Sequence, residues 1–438
     1  MSPLADVLAH GVGTRSDLPI PVWLALYGSG AAVAVSFAAL AALWRTPRLA
    51  EANHGRPAPP RLQAVLDSPS FRYALQSVVL AVLLLVIVVA LVGPTDPPAN
   101  LAPWAFYVTF WVGLVPASLL LGPVWRLLNP LRLLHALLRP IAGPVPDTGD
   151  RLERIGYWPA VISLVVFLWL ELVYPERATP AVVGSFIVVY AIVHLVASMW
   201  FGERWFDRGD GFEVYSSLIG RLAPLGRRAD GRLALRNPLK NAATLPSAPG
   251  LAAVVVVLVG STAFDGLSRT RYWTSGPGAA NDVTSGTLGL AAMIAITGVL
   301  YVAGTMGNGW LSGQPARQQP GAYAHTLVPI AVGYAIAHYF SLLLLDGQLT
   351  WILASDPFQT GVDVFGTAGM AVNYALVSIS TIAYTQVTAI VIGHILAVVL
   401  AHDRALVVDS SSRSAQHLPL LVVMIAYTVG GLGLLFGA

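Results

Sequence analysis

Ten stretches of this chain approach the roughly 20 apolar residues that carry a helix across hydrocarbon, and that feature leaves few folds open to it. They fall near 21–44, 72–93, 102–122, 157–174, 181–201, 249–267, 285–306, 321–345, 371–401 and 418–437. Charged residues make up 11% of the chain, against about 25% in a soluble domain. The expected fold is therefore all-α: a polytopic transmembrane helical bundle forming one integral membrane domain over 1–438. Between the spans lie loops too short for a soluble catalytic domain.

The arginines orient the bundle. With the N-terminus outside, 21 of the 25 cations fall on inner segments, mostly in basic loops at 45–71, 123–156 and 202–248. The four left outside are Arg15, Arg177, Arg269 and Arg271. The opposite topology inverts that ratio, so the positive-inside rule puts both termini out. A net charge of only +3 gives no reason to expect a nucleic-acid partner. The chain has no cysteine, which removes disulfides and thiolate metal sites. Residues 1–20 lack the basic and apolar regions of a cleavable signal peptide.

Two inner segments show helical spacing of apolar residues. In 129–139, Leu133, Leu134, Leu137 and Leu138 form a stripe flanked by Arg132, His135 and Arg139. In 212–222, Phe212, Tyr215, Leu218, Ile219 and Leu222 recur in the same way. Both are expected to be short amphipathic helices on the inner membrane surface. The sequence from Arg227 to Lys240 reads as basic linker, and His54 as solvated loop.

Polar side chains inside the spans persist only where they pair or face a bundle interior or wet cavity. At a rise of about 1.5 Å per residue they sort into two layers. The outer layer holds His338 with Tyr334 and Ser341 on its helical face, Asp265, Glu171, Tyr384 and, before the first span, His10. His338, Asp265 and His10 are ligand types for Zn, Mn or Fe, and Glu171 and Tyr384 are suited to assist proton transfer. The inner layer, with His194, His394 and Gln386, reads as a polar path. His194 and His394 lie at similar depth, but the regularly spaced histidine pairs of a membrane haem protein are missing, which weighs against haem. Each group also has a plain reading: Asp265 pairs with Arg269 one turn on, and the His402-Asp403-Arg404 run caps and anchors the inner end of span nine.

Several words of the sequence, taken together, resemble one family. They are His10-Gly, the run from Arg15 to Pro21, Asp207-Arg-Gly-Asp-Gly-Phe-Glu-Val-Tyr215, the run from Gly260 to Thr270, Ala337-His-Tyr-Phe-Ser341, Gly393-His394 and Ala401-His-Asp-Arg404. Over nearly its whole length the chain resembles actinobacterial multi-span membrane proteins labelled fenitrothion hydrolase. The resemblance implies hydrolysis of a lipophilic phosphotriester-like ester; it assigns no catalytic residues. The residues themselves leave open a metal-dependent hydrolase, a proton- or ion-coupled transporter or channel, and a non-catalytic membrane subunit. Membrane lipids, a small lipophilic molecule or ion, and membrane-protein partners or further copies of the chain are the expected company.

Overall fold

Where the helices begin is written in the local sequence. Ser68-Pro69, Asn129-Pro130 and Asn237-Pro238 each place an oxygen-bearing cap before a proline whose missing N–H costs nothing in the first turn. The cap side chains accept from Phe71, from Leu131, and from Leu239 and Lys240 respectively. A computed structural model describes residues 21–49, 51, 54–143, 149–408 and 418–436. Among these, nine helices are long and apolar enough to span a membrane, or ten if a pair bent by 53° forms one span. All ten expected positions are occupied, and the chain is an all-α multi-pass membrane protein.

In chain order the elements are α1 (Val22–Leu43), β1 (Arg56–Pro57), α2 (Pro60–Asp67), α3 (Pro69–Val92) and α4 (Leu101–Leu121). Next come α5 (Pro130–Ala142), the bent pair α6 (Gly149–Ile155) and α7 (Trp158–Leu172), α8 (Pro180–Phe201) and α9 (Gly211–Ile219). The strands β2 (Leu225–Arg227) and β3 (Leu233–Leu235) precede α10 (Pro238–Ala243), α11 (Leu251–Ser268) and α12 (Val283–Ser312). The last are α13 (Val328–Leu345), α14 (Gly347–Ser355), α15 (Ile379–Val408) and α16 (Leu418–Phe436). The three strands form a small antiparallel sheet in the order β1-β3-β2 on the arginine-bearing face.

The tightest pairing is between α13 and α15. Two glycines make it possible: a Cβ on Gly333 would lie 2.5 Å from the Ala389 carbonyl oxygen, and one on Gly393 would lie 2.6 Å from that of Pro329. Small residues at a crossing let two backbones approach closely, the main source of helix association where lipid is as apolar as leucine. Helix α11 sits between α7, α12 and α13, and α1 returns to pack on α15 and α16.

Five expectations are corrected. Helix α9 does not lie on the membrane surface. Every residue from Gly211 to Ile219 except Ser217 is buried, and Phe212 packs edge-on to Phe167 at 5.0 Å while Tyr215 stacks on Trp111 at 4.4 Å. In α5, Leu137, Leu138 and Ile141 are exposed as an interfacial helix requires, but Arg132 and His135, read as its polar flank, are buried. The stretch after Arg227 is a hairpin and helix rather than linker. His54 is buried, with ring nitrogens on the carbonyls of Glu51 and Asn237. The ninth span also begins at Ile379 rather than 371.

Arg132 explains why α5 turns its polar side inward. It donates through Nε and NH2 to both oxygens of Glu213, and also reaches Glu203 at 2.7 Å and Asp207 at 2.8 Å. Asn129 donates to both Asp210 and Glu213, and Asp210 caps α9 while accepting from the Tyr190 hydroxyl at 2.6 Å. Burial pushes the Glu213 carboxyl up despite its arginine. For Arg132, burial pulls down, but the hydrogen bonds and charge of Glu213, with Asp207 and Glu203, outweigh it and hold the guanidinium above its ordinary range.

Removing one partner of such a pair strands a buried charge. Arg132→Leu is expected to cost about 3–5 kcal/mol, and Arg132→Leu with Glu213→Leu to recover part of it. Thermal unfolding in detergent reads both; a double variant no more stable than the single one would contradict the pairing.

Candidate functional site

Three elements bring the outer polar groups together. Asp265 and Arg269 lie one turn apart at the end of α11, so their side chains share a face and pair at 2.8 Å. Across the α11–α13 contact, His338 points Nε2 at the second oxygen of Asp265 in a short contact. The same Nε2 lies 2.9 Å from NH2 of Arg269. One nitrogen cannot serve both neighbours in one state: protonated it donates to the carboxylate, deprotonated it accepts from the guanidinium. The position of a proton on this ring therefore selects its partner.

Beside this trio, Tyr339 sets its ring edge-on to His338 with centroids 4.8 Å apart and donates to Glu171 of α7 at 3.4 Å. Tyr334 stacks on His338 from the turn before. Four polar atoms around the cluster are buried with no hydrogen-bond partner among the described residues: Glu171 Oε2, His338 Nδ1, Tyr334 Oη and Ser341 Oγ. Buried polar atoms are nearly always partnered, and orphans mark water, ions or chemistry. A cavity of ≈ 20 Å³ adjoins Tyr339, with Ser261, Thr262 and Tyr215 in its wall. A second of ≈ 10 Å³ shares Tyr215 and continues toward Val328. The first has room for about one water and the second barely so.

Of the residues expected in the outer layer, Asp265, His338, Tyr334, Ser341 and Glu171 gather here. Tyr384 is not among them: it is 53% exposed on α15. His10 lies outside the described residues. Arg269 and Tyr339 were missed as members. Arg269 stood only as the pairing partner of Asp265, and Tyr339, though next to His338, differs from it by 100° around a helix.

The inner residues divide. His194 accepts from Trp205 Nε1 at 3.0 Å and sits 3.3 Å from Ser163, inside the Asp210 nest. His394 donates Nδ1 to the Ile390 carbonyl on α15, and its Nε2 has no partner among the described residues. Among the described residues no hydrogen bond links Gln386 to either histidine. His402 and Asp403 do anchor the chain after α1: Asp403 accepts from Trp44 Nε1 and from the Arg48 and Leu49 amides, while His402 contacts the Trp44 carbonyl.

For a metal, His338 and Asp265 are two donors with a guanidinium on their remaining side. Among the described residues no group of three or more His, Asp or Glu side chains is placed to hold an ion. The fold and site together define a helical membrane protein with a buried ionisable cluster at one end. No protein-family profile, curated protein or solved structure matches the chain.

Because the chain lacks cysteine, single-cysteine spin labels report one position each. A nitroxide at Tyr384→Cys is expected to be open to oxygen dissolved in the bilayer, and one at Ser341→Cys to be shielded from it. Equal access at both would contradict this placement.

Proposed function

We propose that this chain carries protons across or into the membrane through the Glu171–Tyr339–His338–Asp265 cluster, as a proton-coupled transporter of the cytoplasmic membrane with its arginine-rich face inward. The observation that carries this reading is the His338 Nε2 held between Asp265 and Arg269. An imidazole whose hydrogen-bond partner changes with its proton is a two-state element, and intramembrane chains of Asp, Glu and His are the usual proton relays. Glu171 Oε2 and His338 Nδ1, each lacking a protein partner, are the atoms from which a proton can be passed to water. The cavity beside Tyr339 suits a water rather than an ester of drug size, which needs about 300 Å³ or more.

Ester hydrolysis, which the family resemblance implies, is the second reading. The Asp265–His338 contact favours it, since a carboxylate on an imidazole orients a general base. A divalent metal would have to be held by His338 and Asp265 with Arg269 displaced, and would supply an activated water.

Proteoliposomes loaded with a pH-sensitive dye separate the two. Proton flux driven by an imposed gradient is expected to fall about a hundredfold in Glu171→Gln and in His338→Gln, within the range a positioned proton-transfer group contributes. Undiminished flux in both variants would overturn the transport reading. Turnover of a chromogenic phosphotriester that is lost in His338→Gln and with a chelator, with no proton flux, would establish the hydrolase instead.

A further inference from the structure

A groove on the arginine-bearing face takes no part in the cluster above. It has a volume of ≈ 1010 Å³ and runs between α2 and the β1-β3-β2 sheet, all three strands contributing, with Arg56 and Arg232 at its rim and Leu62 and Leu235 along its wall. Helix α2 has no buried residue at all. Its Leu62 and Val65, and Leu235 across the groove, are 46%, 48% and 57% exposed. A lone apolar residue on a surface is ordinary, but Leu62 of this unburied helix lines one groove together with Leu225 and Leu235. The groove's one carboxylate, Asp67, is neutralised by Arg227. Among the described residues, the guanidinium groups of Arg56 and Arg232 have no carboxylate partner, so the groove is net cationic.

Its position fixes what can reach it. Ser68 alone separates α2 from α3, a span of 24 residues with exposed Val78, Val82, Leu85 and Val88 along its length. The groove thus opens where hydrocarbon gives way to headgroups on the face the positive-inside rule puts in the cytoplasm. We propose that it binds an anionic phospholipid of the inner leaflet. The phosphate lies between Arg56 and Arg232, and the acyl chain follows Leu62, Leu225 and Leu235. Cations at this depth attract anionic lipid, and an apolar wall adds chain contact that a free phosphate cannot use.

The test uses the full chain in phosphatidylcholine nanodiscs, with a fluorescent phosphatidylglycerol titrated in. Phosphatidylglycerol is expected to bind more tightly than its phosphatidylcholine analogue, and affinity to fall about fivefold for each arginine in Arg56→Gln and Arg232→Gln. Lysine at both positions should restore most of it, which shows that the loss is of charge and not of fold. Leu62→Ser with Leu235→Ser should weaken the lipid as well, and millimolar inorganic phosphate should not displace it. Equal affinity for the two lipids, or no change in the arginine variants, overturns the proposal. Displacement by phosphate with no effect of the serine variants overturns it too, and assigns the groove to a soluble anion.

Discussion

A carboxylate at bilayer depth has to be met by something, and here Asp265 is met from two directions. Arg269 answers from one turn along the same helix, and His338 from the neighbouring one. The first contact is local and makes it tolerable to bury Asp265 wherever α11 goes. The second is long-range and ties α11 to α13 at a fixed register. Behind α13, Gly333 and Gly393 let α15 approach until backbone meets backbone, so the helix that carries His338 is held on both sides. Loss of the small residues would move His338; loss of the carboxylate would leave its ring without the contact that orients it.

The two buried polar nests of this protein differ in one respect, and it decides how each is read. Around Arg132 the oxygens of Glu213 and Asp210 all have donors: the guanidinium, Asn129, the Tyr190 hydroxyl and the α9 amides. A network satisfied to that degree rigidifies, and it pins α9 inside the bundle rather than on its surface. Around His338 the satisfaction stops short, with orphaned atoms on Glu171, His338, Tyr334 and Ser341, and a small cavity reaching the neighbouring Tyr339. That difference is what the proposed proton relay rests on.

The sequence makes the spans legible because an apolar run of about 20 residues has one cheap solution in a bilayer. It also made the depth of Asp265, His338 and Glu171 legible, since depth follows from counting along a helix. What it could not give was direction around each helix. Tyr384 lies at a suitable depth but is exposed on α15, while Tyr339, given no role in the outer layer, turns inward to Glu171. The stripe in 212–222 shows that one face is apolar, but a stripe is silent on whether lipid or protein covers it; here aromatic rings of α4 and α7 do. Arg132 was counted with the inner cations, correctly for topology, yet its three carboxylate partners come from positions 71 to 81 residues away, beyond any local pattern.

The central claim is that Glu171 exchanges a proton with water through the buried cluster. Infrared difference spectra of the reconstituted protein, recorded across a pH step in H2O and in D2O, observe that carboxyl directly. The expected result is a carboxylic-acid carbonyl band that appears on protonation, shifts in D2O, and is missing from Glu171→Gln. Identical difference spectra from the native protein and the variant would contradict the account.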